Sequence, residues 1–332
     1  MENIYKLILM MYNEYTKKDD MKMIGTISLN PTIDKTFLVE KLLQSDMNIL
    51  EHNSCAAGKA INLAKLFEFF ECSAKVMGVV AGMTGKSILY NLEQMGIAND
   101  FIEISGESRT NIQIIDILTK KSTFLFEKTV YNITPNIIEQ IDSLYDSYCK
   151  SCDLIILTGA LPANIPDDKY LHMINKAKRA GKTVFLDTSG KGLAEGIKAN
   201  PDLIKPNEHE MAELAGVSSE DTDALIQHGI KLHNQGIKYV LLSLGEKGAC
   251  LICKDGIFRG NTPQADALNT VGCGDSMVAA FTHAILGNQS PKNSLKFSLA
   301  AGAANTLSLE PASFSKENLA EMLDRCVVND YI

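Results

Sequence analysis

Short runs of apolar residues alternate along this chain with segments whose apolar residues recur every three or four positions. The runs predict buried strands at residues 24–29, 74–80, 153–157, 183–186 and 239–243. Ala60, Leu63, Ala64 and Phe67 fall on one face of a helix between the first two runs. Near-continuous apolar strands separated by amphipathic helices predict an α/β fold, with a mainly parallel central sheet covered by helices on both faces.

Two segments, residues 35–51 and 100–128, interrupt this alternation. They contain strand-like stretches without intervening helices, which predict a small separate sheet. Ligands of open α/β sheets bind at the carboxyl ends of the strands, where several turns here carry Gly or Asn. A small sheet near that edge would form a β-lid over a ligand.

Residues 1–22 are predicted to be an N-terminal extension, and residues 23–332 one domain into which the lid segments are inserted. The apolar run after Met1 is short, has an acid at Glu2 and lacks a small-residue cleavage site. It therefore has the pattern of neither a signal peptide nor a membrane span. We expect a cytoplasmic protein with no membrane partner.

The formal net charge is -8, with lysines and arginines interspersed among the acids. Such a surface repels a phosphate backbone, so nucleic acid is not an expected partner. A phosphorylated small molecule would have to be bound by local features, such as glycine-rich loops, helix N-termini and single cations.

The chain has 8 cysteines, too few for its length to form a disulfide framework. Two C-x-x-C pairs occur, Cys149/Cys152 and Cys250/Cys253. Neither pair has the His or the glycine turn of a zinc knuckle. We interpret them as buried, reduced thiols rather than as a zinc site.

The strongest local signal is the segment 269–277, Asn-Thr-Val-Gly-Cys-Gly-Asp-Ser-Met, followed by an apolar helix at 278–286. Glycines directly before a helix let backbone N–H groups converge on an anion, and the helix dipole adds positive potential. Asp275 can be read as a helix N-cap, which the motif alone favours. A carboxylate beside an anion hole can also accept a proton from a hydroxyl that attacks a γ-phosphate.

Two further turns carry candidate sugar ligands. In the segment 57–62, Gly58 opens a helix on which Lys59 can contact a phosphate and Asn62 a sugar hydroxyl. Asp34 follows a strand, where a carboxylate suits two vicinal hydroxyls. A helix start with an exposed lysine and a solvated turn aspartate are the alternative interpretations.

These motifs, together with others in the same order, resemble the PfkB family of carbohydrate kinases, which has the ribokinase-like fold. Within it they resemble the branch of 1-phosphofructokinases and tagatose-6-phosphate kinases. The matching segments are SLNPTIDKT at 28–36, AGKAIN at 57–62, GVVAGMTG at 78–85, SRTNI at 108–112, TGALP at 158–162, DTSG at 187–190, KPNEHE at 205–210, SLGEKGA at 243–249 and VGCGDSM at 271–277.

The resemblance implies transfer of the ATP γ-phosphoryl group to a ketohexose monophosphate, with Asp275 as the base. Fructose 1-phosphate is the first choice of substrate and tagatose 6-phosphate the second. The implied anion hole consists of Gly272, Cys273 and Gly274. The implied substrate-binding residues are Asp34, Gly58, Lys59, Asn62 and Arg109. Arg109 would grip the phosphate already on the sugar with its planar fork.

The resemblance also implies a nucleotide site and a Mg²⁺ site. Asn207 and Glu210 would organise Mg²⁺ through its bound water. The implied nucleotide-binding residues are Lys205, Ser243, Gly245, Gly248 and, in the adenine pocket, Asn305. The exposed edges of the lid sheet suggest a homodimer.

Three positions depart from the pattern of the branch. Ala57 and Ala60 replace glycines, and their methyl groups would narrow the sugar site or restrict the backbone. Cys273 stands where a small alanine is common. These departures keep two alternatives open: a kinase of an unphosphorylated sugar or nucleoside, and a regulator that binds sugar phosphate or nucleotide without catalysis.

Overall fold

The computed structural model describes residues 22–162 and 164–331. The predicted extension lies outside these residues except for Lys22. The strands are β1 (Ile24–Ser28), β2 (Thr32–Val39), β3 (Ile49–Ala57), β4 (Ala74–Ala81), β5 (Ala98–Ile104), β6 (Arg109–Asp116), β7 (Lys121–Phe126), β8 (Leu154–Thr158), β9 (Thr183–Asp187), β10 (Leu203–Ile204), β11 (Tyr239–Ser243), β12 (Ala249–Cys253), β13 (Gly256–Gly260) and β14 (Val328–Asp330). The helices are α1 (Lys59–Phe69), α2 (Gly82–Gln94), α3 (Pro135–Ser151), α4 (Lys169–Arg179), α5 (Gly190–Gly196), α6 (Glu208–Ala215), α7 (Thr222–Asn234), α8 (Cys273–Leu286), α9 (Pro291–Asn305) and α10 (Lys316–Arg325).

The central sheet has the strand order β14-β13-β12-β11-β10-β9-β8-β1-β4-β5. Pairing is parallel from β5 through β11 and antiparallel from β11 to β14. All five apolar runs in the sequence lie in its parallel part, so the predicted mainly parallel sheet is confirmed. Strands of a parallel sheet are buried on both faces, which explains their unbroken apolar character.

The strand order reverses at β1, which lies between β8 and β4. From β1 the chain first builds β4 and β5 on one side, and later β8 to β11 on the other. Such a reversal leaves a crevice at the carboxyl ends of the strands, where open α/β sheets bind ligands. The topology therefore places the expected site beyond the ends of β1, β8 and β9.

Helices cover both faces of the sheet, as predicted. On one face, α1, α8, α9 and α10 contribute buried apolar side chains that include Leu63, Phe281 and Leu295. On the other, α3, α4 and α7 contribute a second cluster that includes Tyr145 and Ile226. Burial of each such side chain contributes about 1.5–3 kcal/mol, so these two layers hold the sheet rigid beneath the site.

A second, four-stranded sheet has the order β3-β2-β6-β7 and forms the predicted lid. The lid boundaries differ from the prediction in two places. The first lid segment extends beyond residues 35–51, from Thr32 to Ala57. Residues 98–104 form β5 at the edge of the central sheet, parallel to β4. No residue of this edge strand is fully buried, and every residue of the lid strand β7 is exposed, so neither has the continuous burial of a central strand. The partial burial of this edge strand explains why residues 100–104 were assigned to the lid.

Two further observations concern the cysteines and the membrane. The four thiols of the C-x-x-C pairs are free and buried, which confirms their predicted burial. Within residues 22–162 and 164–331, no helix combines the length and apolar character needed to cross a bilayer.

Candidate active site

Polar residues meet where the central strands end beneath the lid. Asp187 is the last residue of β9, Lys205 directly follows β10, and Ser243 ends β11. The start of α8 brings Asp275 to the same place, since Lys59 on α1 lies within 4.0 Å of both aspartates. The parallel topology therefore gathers residues that are far apart in the sequence.

Asp275 lies in the first turn of α8, but it does not cap that helix. Gly272 occupies the N-cap position, and no side chain caps the helix there. The Asp275 side chain is 7% exposed, and its Oδ2 accepts a hydrogen bond of 2.7 Å from Asn62 Nδ2. Lys59 Nζ is 3.8 Å from Oδ1. The N-cap interpretation is therefore wrong.

Burial raises the pKa of Asp275 above its ordinary value, and the nearby charge of Asp187 raises it further. Lys59 and the hydrogen bond from Asn62 act in the opposite direction without cancelling these effects. A carboxylate with a raised pKa is a stronger base than an ordinary aspartate, so the environment suits proton acceptance.

Asp187 was not among the predicted site residues, although it opens the matching segment DTSG. Its side chain is 1% exposed and lies between Lys59 at 2.7 Å and Lys205 at 3.4 Å. Burial alone would raise the pKa of Asp187, but Lys205 and Lys59 outweigh it and the pKa lies below its ordinary value. An aspartate at the carboxyl end of a buried strand is the signal that could have identified it.

The glycine-rich turn before α8 packs closely against its surroundings. Gly272 has φ +87°, and a methyl group there would lie 2.6 Å from the Ala312 backbone nitrogen. A methyl group on Gly274 would lie 3.1 Å from Lys205 Nζ. The first N–H groups of α8 have no partner within their helix, and the Lys205 cation lies beside them, so the turn can hold an anion.

The lid contributes a second group of polar residues. Parallel pairing of β2 with β6 sets Asp34 beside Asn111, whose Nδ2 donates a hydrogen bond of 2.9 Å to Asp34 Oδ1. Arg109 Nη2 donates to the Asn30 carbonyl at 3.3 Å. Burial raises the pKa of Asp34, although Asn111 and Arg109 oppose the rise. Asn111 was missed in the sequence, since an amide in a strand has no distinctive spacing.

Four buried side-chain atoms of the described residues lack a hydrogen-bond partner: Asn62 Oδ1, Arg109 Nε, Asn111 Oδ1 and Asp187 Oδ1. The last lies 3.4 Å from Lys205 Nζ, an ion pair without hydrogen-bond geometry. More than nine-tenths of buried polar groups in proteins are paired. All four unpaired atoms belong to residues of this site, which is the pattern of a site built for a polar ligand.

A cavity of about 1060 Å³ adjoins the glycine-rich turn. Its lining includes Asn207, Ser243, Gly245, Gly248, Cys273, Gly274 and the apolar side chains Met277, Leu299 and Leu307. The volume of this cavity, its polar loops and its apolar wall suit a ligand of the size of a nucleotide. Gly248 has φ +93°, and a methyl group there would overlap the Gly260 carbonyl oxygen, so only glycine fits this turn.

Asn207 and Glu210 form a capping box at the start of α6. The Asn207 side chain accepts from the N–H groups of His209 and Glu210, and Glu210 Oε2 accepts from the Asn207 N–H. The described residues contain no cluster of three or more His, Cys, Asp or Glu side chains that could enclose a metal. Mg²⁺ commonly uses one or two carboxylates and keeps its waters, so this pair fits Mg²⁺ held through water.

The resemblance assigned Asn305 to an adenine pocket. Its side chain is 0% exposed and is absent from the cavity lining. It bonds instead to the turn that carries Gly272 and Cys273. The proposed contact with adenine remains a prediction that this packing does not support.

The methyl groups of Ala57 and Ala60 do not enter the site. Both residues are 0% exposed, and Ala60 packs among apolar side chains that include Ile33 and Ile88. The Ala60 carbonyl accepts a hydrogen bond from Thr26. The two departures from glycine are therefore accommodated in the core, and the expected narrowing of the sugar site is not found.

Residues 24–318 match the family described as pfkB family carbohydrate kinase. The chain belongs to this family. It is 31% identical to 1-phosphofructokinase of Borreliella burgdorferi over 304 residues, which cover 91% of this chain and 95% of that relative. It is 29% identical to 1-phosphofructokinase of Bacillus subtilis over 294 residues, 87% of this chain and 94% of that relative. The predicted enzyme class, an ATP-dependent sugar-phosphate kinase, is thereby confirmed.

The fold is also that of a solved kinase. Phosphofructokinase-2 of Escherichia coli, in a crystal structure with potassium, superposes with a TM-score of 0.83 at 23% identity. The match covers 92% of this chain and 99% of that chain. The predicted ribokinase-like fold, with its separate small sheet, is confirmed.

Proposed function

We propose that this kinase phosphorylates fructose 1-phosphate, transferring the ATP γ-phosphoryl group to a free hydroxyl to give the bisphosphate. The observation that carries the proposal is the set of unpaired buried atoms on Asn62, which bonds to Asp275, and on the lid residues Arg109 and Asn111. Sugar hydroxyls can pair with the two amide oxygens, and a phosphate with Arg109 Nε. The relatives named 1-phosphofructokinase support the choice of sugar.

In the proposed reaction, Asp275 accepts the proton of the attacking hydroxyl. Asn62 holds the carboxylate in place, and its free Oδ1 accepts a hydrogen bond from the sugar. The N–H groups of Gly272, Cys273 and Gly274 stabilise the charge on the transferring group, as do Lys59 and Lys205. Mg²⁺, held through water by Asn207 and Glu210, would neutralise charge on the nucleotide phosphates. This chemistry consists mostly of positioning and charge stabilisation, which a rigid site performs well.

Tagatose 6-phosphate is the second candidate, since the same groups can hold either ketohexose phosphate. The proposed roles of Asp34, Gly58 and Lys59 in sugar binding, and of Ser243, Gly245 and Gly248 in nucleotide binding, do not distinguish the two. A non-catalytic regulator is the remaining alternative, and the placement of Asp275 between Asn62 and Lys59 argues against it.

The lid supports a further proposal, a homodimer formed through its exposed apolar side chains. Four of its large apolar side chains are strongly exposed: Leu50 at 59%, Leu118 at 65%, Leu125 at 51% and Phe126 at 70%. The edge strands β3 and β7 also leave backbone groups unpaired. A second copy would cover this surface. Sedimentation velocity of the protein and of Phe126→Glu tests the proposal, which a wild-type monomer would contradict.

The substrate is tested by ADP release with Mg-ATP across fructose 1-phosphate, tagatose 6-phosphate, fructose 6-phosphate, fructose and ribose. We expect turnover on fructose 1-phosphate, abolished by Asp275→Asn. Arg109→Ala should raise KM for the sugar phosphate, whereas Arg179→Ala, the same change on the exposed end of α4, should not. Turnover on free sugars alone contradicts the role of Arg109, and no turnover at all favours the regulator.

A further inference from the structure

We propose that Asn305 is a positioning residue that holds the anion-binding turn of Gly272–Gly274 in its active conformation. This inference rests on the proposed function, because it concerns the turn that would stabilise the transferring phosphoryl group. Asn305 is the last residue of α9 and lies behind the turn.

All four hydrogen-bonding positions of the Asn305 amide are used. Nδ2 donates to the Val271 carbonyl at 2.8 Å and to Cys273 Sγ at 3.3 Å. Oδ1 accepts from the Ala312 N–H at 2.7 Å and from Ser276 Oγ at 3.3 Å. Three of these partners flank or belong to the turn, and the fourth packs against it. A side chain whose donors and acceptors are all paired within the protein holds its neighbours in place and has no free position for a ligand.

The bond to the Val271 carbonyl sets the direction of the next N–H group. A trans peptide unit is planar, and its C=O and N–H point in opposite directions. Holding the Val271 carbonyl against Asn305 therefore turns the Gly272 N–H to the other side of the turn. Asn269 fixes the same residue from its other end, because its Oδ1 accepts from the Val271 N–H at 2.9 Å.

The contact with Ala312 supports Gly272 from behind. A methyl group placed on Gly272 would lie 2.6 Å from the Ala312 backbone nitrogen and 3.2 Å from Asn305 Oδ1, so these two atoms occupy the space beside Gly272. Ala312 itself has φ +54°, a conformation unfavourable for alanine. The bond from its N–H to Asn305 holds it there. Loss of Asn305 would let Ala312 relax and remove the support behind Gly272.

Cys273 takes part in the same arrangement. The thiol that replaces a smaller side chain accepts the second Asn305 donor, and burial raises its pKa to about 11. It is therefore a neutral acceptor at physiological pH, and it adds a side-chain anchor to the turn. The departure at this position thus becomes part of the support of the turn.

Kinetics and nucleotide binding of Asn305→Ala separate this role from a contact with adenine. A positioning role predicts that kcat falls about 10- to 100-fold, because the anion-binding groups shift by a fraction of an ångström to 1 Å. ADP affinity should stay unchanged, and the affinity for the non-hydrolysable analogue AMP-PNP relative to ADP should fall. An adenine contact instead predicts a loss of ADP affinity with kcat retained.

Two variants guard against a loss of folding. Asn305→Asp keeps the side-chain shape and both accepted bonds but removes the two donated bonds, and we expect the same fall in kcat. Ser294→Ala, which removes a partly buried hydrogen bond at the other end of α9, should leave kcat unchanged. Equal losses of ADP and AMP-PNP affinity, or wild-type kcat in both Asn305 variants, overturn the proposal.

The nucleotide-binding measurement does not depend on a sugar substrate. Wild-type protein that binds ADP but turns over no sugar phosphate contradicts the proposed function and leaves the AMP-PNP to ADP ratio as the test of Asn305. An unchanged ratio in Asn305→Ala overturns the positioning role in that case as well.

Discussion

The Asn62→Ala variant should move the acid limb of the kcat/KM profile to higher pH. Below its pKa, Asp275 is protonated and cannot accept a proton, so the rate falls as pH falls. The hydrogen bond from Asn62 stabilises the ionised carboxylate and lowers its pKa against the effect of burial. Without this bond the pKa rises further, and the base becomes available only at higher pH.

The size of the shift follows from the geometry of this bond. At 2.7 Å between buried groups, it is a hydrogen bond to a charged acceptor, and such bonds contribute about 1.5–3 kcal/mol. One pKa unit corresponds to about 1.36 kcal/mol, so the limb should move by about 1 to 2 pH units. Lys59 is farther away, at 3.8 Å, and its side chain is 35% exposed, so it compensates only in part.

The assay is the initial rate of ADP release at limiting sugar phosphate across the pH range of the acid limb. Asn91→Ala, the same change at a partly exposed position of α2, is the control and should leave the profile unchanged. KM for the sugar should also rise in Asn62→Ala, because the free Oδ1 is lost. A limb that stays in place or moves to lower pH would refute the assignment of Asp275 as the base.

Three further variants test the charges and the backbone of the site. Asp275→Asn should melt at a higher temperature than the wild type at pH 7, because a pKa that is higher in the folded than in the unfolded state makes the ionised carboxylate destabilising. Scanning fluorimetry should show this difference vanish as the pH falls below the pKa of the unfolded state. Asp187→Asn should lower the free energy of unfolding, measured in urea, by about 3 kcal/mol. This value is at the low end of the range for a broken buried ion pair, because Lys59 is partly exposed. Gly248→Ala should weaken ADP binding and should destabilise the fold by more than Gly181→Ala does. Gly181 also has a positive φ, but no atom lies near its side-chain position, so equal effects of the two substitutions would contradict the steric argument.

The sheet could be predicted from the sequence because its strands are buried on both faces. A continuous apolar run as short as residues 239–243 is typical of a buried strand, and the observed strand has those bounds. The edge strand β5 has no fully buried residue and could not be told from a lid strand. Periodicity reports how much of a strand is buried, and it does not report which sheet the strand joins.

The candidate site was predictable only where one short segment contains the chemistry. The glycine turn with Asp275 is such a segment. The partners that tune Asp275 are not, since Asn62 is 213 positions away and Asp187 joins Lys59 across 128 positions. The four bonds of Asn305 are of the same kind, because they link α9 to two other segments. Contacts of this range depend on the folded topology.

The charges of the site explain why Asp275 can remain ionised in a buried position. Lys59 and Lys205 carry two positive charges, and Asp187 and Asp275 carry two negative charges, so the group is formally neutral. When Asp275 accepts the proton of the attacking hydroxyl, the group gains one positive charge. In the proposed reaction that charge appears as the negative phosphoryl group is transferred beside it. The neutral resting site limits the cost of burying four charges, and proton transfer itself creates the positive field that stabilises the transferring group.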